Sequence, residues 1–277
     1  SLNAVNAVSF EADKGNNQQT EYYKNFIKWL TRFQKNDLVG ACAQTDVKGE
    51  RLKRPSEQSD PDQYLHVVEE KKDGIVVRGC KVHITQAAVA DEIIVVPTRA
   101  LGGKEKEYDV SFAVPGDYEG VKQIINAHNM RKRDNYKRGF DFGAVDSYIV
   151  FDDVFVPWDR VFLCGEHLMG GMAALLFALF HRHSYSGCKP AVGDMIIGLA
   201  SLAAEVNGID KTPHFKERLA ELIKVTELGY AAGFTASAMG KPEVYIPGMG
   251  QCPFGPGSYI PNSLYCNVGR CLTGENM

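Results

Sequence analysis

No stretch of this 277-residue chain stays apolar over the roughly 20 residues that a membrane-crossing helix needs. The opening SLNAVNAVSFEADKGNN lacks the layout of a signal peptide, so a cytoplasmic protein with no membrane partner is expected. A basic excess is missing too. The formal charge of −3 leaves nothing to neutralise a phosphate backbone, which argues against nucleic acid as a partner. The seven cysteines, Cys42, Cys80, Cys164, Cys188, Cys252, Cys266 and Cys271, are odd in number and lack framework spacing, so reduced thiols are expected. No internal repeat recurs along the chain.

What is present is a change of period along the chain. Residues 21–33 set Tyr22, Tyr23, Phe26, Ile27, Leu30 and Phe33 at helical spacing. Then β-branched and aromatic runs bounded by Gly, Pro and Asp follow at 74–85, 91–98, 108–115 and 147–151, which predicts an antiparallel β domain. A short helical insert is expected from Tyr118 to His128. Long Ala- and Leu-rich segments at 168–181, 192–207 and 214–239 read as separate helices, with Thr212-Pro213 as cap and first helical position of the last. The Gly- and Pro-rich stretch beyond Gly240 reads as irregular connection. The expected class is α+β, with a helical end at 1–37, a middle β domain at 38–163 and the start of a helical domain at 164–277.

Three groups of residues could do chemistry. In FHRHSYSGCKP, positions i, i+4 and i+7 place His181, Tyr185 and Cys188 on one helix face, with His183 elsewhere. At ~10 Å along the axis, His181 and Cys188 are too far apart for one zinc but could serve separate irons of a cluster; a helix end with a buried cysteine is the alternative. The polar loop from Thr45 to Arg51, containing Asp46, Lys48 and Gly49, offers hydroxyl, backbone and cationic donors for a flavin and its pyrophosphate, or is an ordinary charged loop. His83 and Thr85 alternate with Val82 and Ile84, and so share one face of a strand, either solvated or the wall of a polar pocket. The basic run Met130 to Arg138 is either a solvated loop or a patch for an anionic ligand such as a phosphorylated cofactor.

The segments TDVKGER (45–51), DPDQYLHVVE (60–69), DGIVVRGCKVHIT (73–85), VFDDVFVP (150–157) and HRHSYSGCK (181–189) occur in an order that resembles the 4-hydroxyphenylacetate 3-hydroxylase flavoprotein family, and within it the branch that dehydrates 4-hydroxybutyryl-CoA. The resemblance runs from about residue 19 to about 240 and implies an acyl-CoA dehydrogenase-like fold. It implies FAD and a [4Fe-4S] cluster as cofactors, with His181 and Cys188 as metal ligands beside two further cysteines. By the same carry-over Thr45, Asp46, Lys48, Gly49, Arg51, His83 and Thr85 become flavin-pocket residues, and His181, Tyr185 and Asp146 catalytic ones. The implied reaction turns 4-hydroxybutyryl-CoA into crotonyl-CoA, with vinylacetyl-CoA isomerisation at the same site, in an acyl-CoA-binding homotetramer of anaerobic metabolism.

Three departures qualify these expectations. The family's Cys-x-x-x-Cys pair precedes the segment matching Ser1 to Phe10, its last helices lie beyond this sequence, and Asp146 stands where the branch has Glu. A central fragment, inactive alone, is expected. The rival enzyme is a reduced-flavin, O2-dependent aromatic hydroxylase, which needs no cluster; a non-catalytic piece that only binds or assembles is the third reading.

Overall fold

The structure, a computed structural model, describes residues 1–126, 145–241, 243–246, 250–253 and 260–275. The basic run at 130–138 lies outside the described residues. Two compact units divide the chain, 1–175 and 176–277.

The first unit opens with two helices, α1 (Leu2–Gly15) and α2 (Tyr22–Lys35). The Asp13 carboxylate, near the end of α1, accepts hydrogen bonds from the Tyr22 and Tyr23 backbone N–H groups at 3.0 and 2.9 Å. It thereby satisfies two of the orphan donors that begin α2. The buried face of α2 is Tyr22, Phe26 and Trp29, so the expected stripe is turned towards the tryptophan. Trp29 stacks between Phe26 and Phe33 and donates its indole N–H to Glu92 at 3.2 Å. A polar handle of that kind explains why a tryptophan centres the buried face.

Eight strands follow: β1 (Gly40–Ala43), β2 (His66–Glu70), β3 (Gly74–Thr85), β4 (Glu92–Val95), β5 (Val110–Pro115), β6 (Val121–Asn126), β7 (Asp146–Pro157) and β8 (Val161–Cys164). They form two four-stranded sheets, ordered β1-β4-β5-β8 and β2-β3-β7-β6. Inward side chains of both sheets share one core, in which Phe112 meets Phe151 edge-on at 5.7 Å. Two expectations are corrected. The domain is mixed, because β1 pairs parallel to β4. Of the expected helix at 118–128, residues 121–126 are instead strand β6, since pairing with the long β7 supplies backbone partners that local helix propensity cannot match.

Helix α3 (His167–Val206) begins in the first unit and runs on into the second. It corrects the expectation of two helices, because Pro190 lies inside it without ending it. Proline removes the helical bond to the carbonyl four residues back, here that of Ser186, and its ring crowds that carbonyl. Helix α4 (Pro213–Ala238) follows, with Pro213 at its first position after Thr212. The tail expected to be irregular instead carries the short antiparallel pair β9 (Glu243–Ile246) and β10 (Gly250–Pro253), then helix α5 (Ser263–Glu275). Side chains are small where these helices meet. A Cβ on Gly233 of α4 would stand 2.6 Å from the Ser186 Cβ, and one on Gly269 of α5 2.6 Å from the Ser186 hydroxyl. Ser186, directly after Tyr185, is therefore buried.

Candidate cofactor-binding and catalytic site

In β3 the inward positions are Ile75, Val77, Gly79 and Lys81, until the register against β7 shifts between Lys81 and Ile84. His83 takes up the extra length with a positive φ of 57°, so Ile84 turns inward and both His83 and Thr85 point outward, exposed. A bulge re-aims side chains in this way. His83 meets Tyr148 of β7 edge-on at 5.9 Å. Thr85 pairs in register with Asp146 and donates its hydroxyl to the Asp146 carboxylate at 2.6 Å.

The loop after β1 comes to the same strand. Val82 N–H donates to the Thr45 carbonyl at 2.7 Å, and Asp46 bridges to Lys81. Thr45 is half-buried and Asp46 buried, while Lys48, Gly49 and Arg51 are exposed. Gly49 has φ +45° against Gln58 and Gln63, a position that both conformation and space reserve for glycine. Thus the root of the loop, Thr45–Asp46, adjoins β3 at Lys81–Val82, directly before His83, and Asp146 adjoins Thr85. The Thr45 hydroxyl, the exposed cations Lys48 and Arg51 and an exposed glycine turn are donor chemistry that suits a flavin ring edge and a pyrophosphate.

A cleft of about 560 Å³ opens elsewhere on the first unit, between Asn16, Val67 to Glu70, Lys106, Glu107 and Cys164 to Glu166. None of the site residues chosen from sequence lines it.

In the second unit His181, Tyr185 and Cys188 lie along α3. The His181 ring stands between Phe177, stacked at 5.7 Å, and Tyr185, tilted at 6.0 Å. It keeps an exposed edge, yet this crowding, with Arg270 and Arg182 adding positive charge, holds its pKa below the ordinary histidine range. A neutral imidazole can accept a proton or ligate a metal. The Lys189 ammonium sits 4.8 Å from the centre of the Tyr185 ring. The exposed Cys188 thiol donates to the Tyr185 carbonyl at 3.7 Å. His183 points elsewhere, as its spacing predicts, with its Nε2 2.7 Å from the Ser237 hydroxyl. Two potential ligands are too few for a cluster, and among the described residues no group of three or more His, Cys, Asp or Glu side chains could hold a metal ion. The six cysteines whose side chains are described are all free; burial pushes Cys164 and Cys266 up to about 12 and about 11, as inert thiols.

Sequence reasoning passed over Lys81, Thr98 and Asp109. Lys81 carried a signal, since a lysine at the inward parity of a strand must find a buried acid. Asp109 is fully buried with both carboxylate oxygens lacking a partner among the described residues, and burial, then Glu166 and Glu105, raises its pKa to about 7.

Comparison with known proteins gives a consistent answer. A 4-hydroxybutyryl-CoA dehydratase/vinylacetyl-CoA-Delta-isomerase of Clostridium aminobutyricum is 43% identical over 248 residues, 87% of this chain and 50% of that protein. The chain spans about half the length of the curated relatives it matches. An archaeal 4-hydroxybutyryl-CoA dehydratase from N. maritimus, described as oxygen tolerant, superposes with a TM-score of 0.86 at 32% identity, covering 98% of this chain and 52% of the other. The oxygenase component of 4-hydroxyphenylacetate 3-monooxygenase, solved with FAD, follows at 0.78 and 26%, covering 98% and 54%. A looser likeness to butyryl-CoA dehydrogenase from Megasphaera elsdenii, at 0.60 and 15% over 91% and 58%, extends to the fold alone. Residues 1–163 match the family described as 4-hydroxyphenylacetate 3-hydroxylase N terminal and residues 171–277 its C-terminal counterpart. With both halves matched in order, the chain belongs to the 4-hydroxyphenylacetate 3-hydroxylase family.

Proposed function

We propose that this chain is part of an enzyme that dehydrates 4-hydroxybutyryl-CoA to crotonyl-CoA and isomerises vinylacetyl-CoA, using FAD and a [4Fe-4S] cluster. The reading is carried by the higher identity and TM-score with the archaeal dehydratase than with the FAD-bound hydroxylase, over the same share of the chain. Thr45, Lys48, Gly49, Arg51, His83 and Thr85 would hold the flavin, which when bound supplies an electron acceptor. His181 and Cys188 would be two of the cluster's ligands, beside two further cysteines.

The chain's own residues then handle protons. The Asp146 carboxylate, oriented by the Thr85 hydroxyl at 2.6 Å, can take a proton and return it. Burial, with nearby positive charge, lowers the His181 pKa and so favours the neutral imidazole that can accept a proton or ligate a metal. The Tyr185 hydroxyl can donate towards a departing substrate oxygen. Asp in place of Glu at 146 shortens the reach by one methylene, which points to a related acyl-CoA as an equal candidate for substrate. We also assign the whole protein to a homo-oligomer in the cytoplasm, and this 277-residue piece alone to an inactive state.

The hydroxylase reading is favoured by one observation, the likeness to the FAD-bound oxygenase component. Iron, acid-labile sulfide and flavin in the anaerobically purified full-length protein separate the two. About four irons per chain together with flavin, with iron lost in Cys188→Ala, is the expected result. Flavin without iron in both proteins would return Cys188 to a packing role and leave the hydroxylase.

A further inference from the structure

Lys81 and Asp46 are almost completely removed from water, at 2% and 5% exposure. The Lys81 ammonium reaches Asp46 Oδ1 at 2.8 Å, the Gln44 carbonyl at 2.8 Å and the Val96 carbonyl at 3.2 Å, which uses its three donors. The other Asp46 oxygen meets the Thr98 hydroxyl, and Oδ1 also accepts from the Leu65 backbone N–H at 3.3 Å. Thr98 Oγ1 in turn accepts from Asp46 N–H at 3.2 Å and lies 2.5 Å from the Gln44 carbonyl. One polar knot therefore joins the root of the loop at Gln44–Asp46 to β3, to the segment after β4 and to the start of β2. Two residues beyond Asp46 the same loop is in solvent, at Lys48, Gly49, Glu50 and Arg51.

Stability alone does not call for such a knot. A buried ion pair is often replaceable by apolar residues without loss, whereas removing one partner strands the other charge. What a fully satisfied buried network does supply is a single permitted geometry. A shift of the loop root by an ångström would break several charge-assisted bonds at once. We propose that Lys81, Asp46 and Thr98 form a buried clamp that fixes the loop of residues 45–51 in its flavin-holding position, with Lys81 and Thr98 as positioning residues. This reading turns Asp46 inward, away from direct contact with the cofactor, and leaves Lys48, Gly49 and Arg51 to present the donors. It rests on the flavin reading above, and the test keeps the two apart.

The full-length protein would be prepared as wild type, Lys81→Met and Thr98→Val. Two quantities are measured: FAD affinity by titration of the flavin-free protein, and the rate of tryptic cleavage after Lys48, Arg51 and Lys53 in the absence of flavin. Cleavage after Lys24 and Lys28 of α2, both exposed, reports global unfolding. Expected are a tenfold or greater loss of FAD affinity and a tenfold or greater gain in loop cleavage, with the α2 sites unchanged. Thr98→Val carries the test if Lys81→Met does not fold. Loop cleavage within twofold of wild type in the folded variants would overturn the clamp. Faster loop cleavage with FAD affinity unchanged would overturn its positioning role. A wild type that binds no FAD would sink the flavin reading, while the proteolysis still decides whether the loop is clamped.

Discussion

A carboxylic acid that stays buried without a partner makes the protein's stability depend on pH, and Asp109 has none among the described residues. Its pKa of about 7 in the folded chain lies well above the ordinary 3.8. Below 3.8 both states are protonated and nothing is lost. Between about 4 and 7 the unfolded chain ionises while the folded one keeps its proton, so stability falls as pH rises, then levels off above 7. Asp109→Asn removes the ionisation. Its unfolding free energy from urea titration should stay close to wild type near pH 4 and exceed it by an amount on the order of a few kcal/mol at pH 8. Equal free energies at pH 8 would mean that the carboxylate finds a partner in solution. At this scale the sequence is a partial guide. Aspartate at 109 looks like a strand-bounding turn residue, and nothing near it marks the depth at which Gly170 of α3 covers its carboxylate. His83 and Thr85 were legible because alternation fixes relative facing, even though a bulge, which no residue type announces, sets the absolute direction.

Elements are legible where the period is long and uninterrupted, as in α2 and α4, and illegible where a neighbour decides. β6 exists because β7 is there to pair with it, and α3 continues past Pro190 because α4 and α5 pack beside it. The glycines carry that second fact. Ser186 is enclosed by Gly233 and Gly269, so α3 meets α4 and α5 closely one residue past Tyr185. Gly233→Val forces atoms into that contact. We expect a loss of about 1–3 kcal/mol in urea unfolding, typical of overpacking, together with a change in the environment of the neighbouring Tyr185. Tyrosine fluorescence or an NMR shift of Tyr185 checks the second part. An unchanged midpoint would show that α3 and α4 part without cost, and that the small residues there are incidental.

For the molecule as a whole, one feature of α3 distinguishes a finished surface from one that expects cover. Val192, Met195, Leu199, Leu202 and Val206 are 41%, 58%, 57%, 58% and 80% exposed. They recur at spacings of three and four, the seam by which one helix meets another. A helix that leaves an apolar seam in water gains by burying it, at roughly 25 cal/mol per Å2 of apolar surface. Sequence shows the seam as apolar and periodic but cannot show which stripe of an almost uniformly apolar helix stays outside; that depends on which face α4 and α5 occupy. Consistent with the proposed homo-oligomer, the 277-residue chain should self-associate in sedimentation at micromolar concentration. Leu199→Glu combined with Leu202→Glu should return it towards the monomer without lowering the unfolding midpoint, because neither side chain is in the core. A wild-type chain that sediments as a monomer would assign the seam to something other than a second copy. A double variant that associates as strongly as wild type would place the contact on another surface.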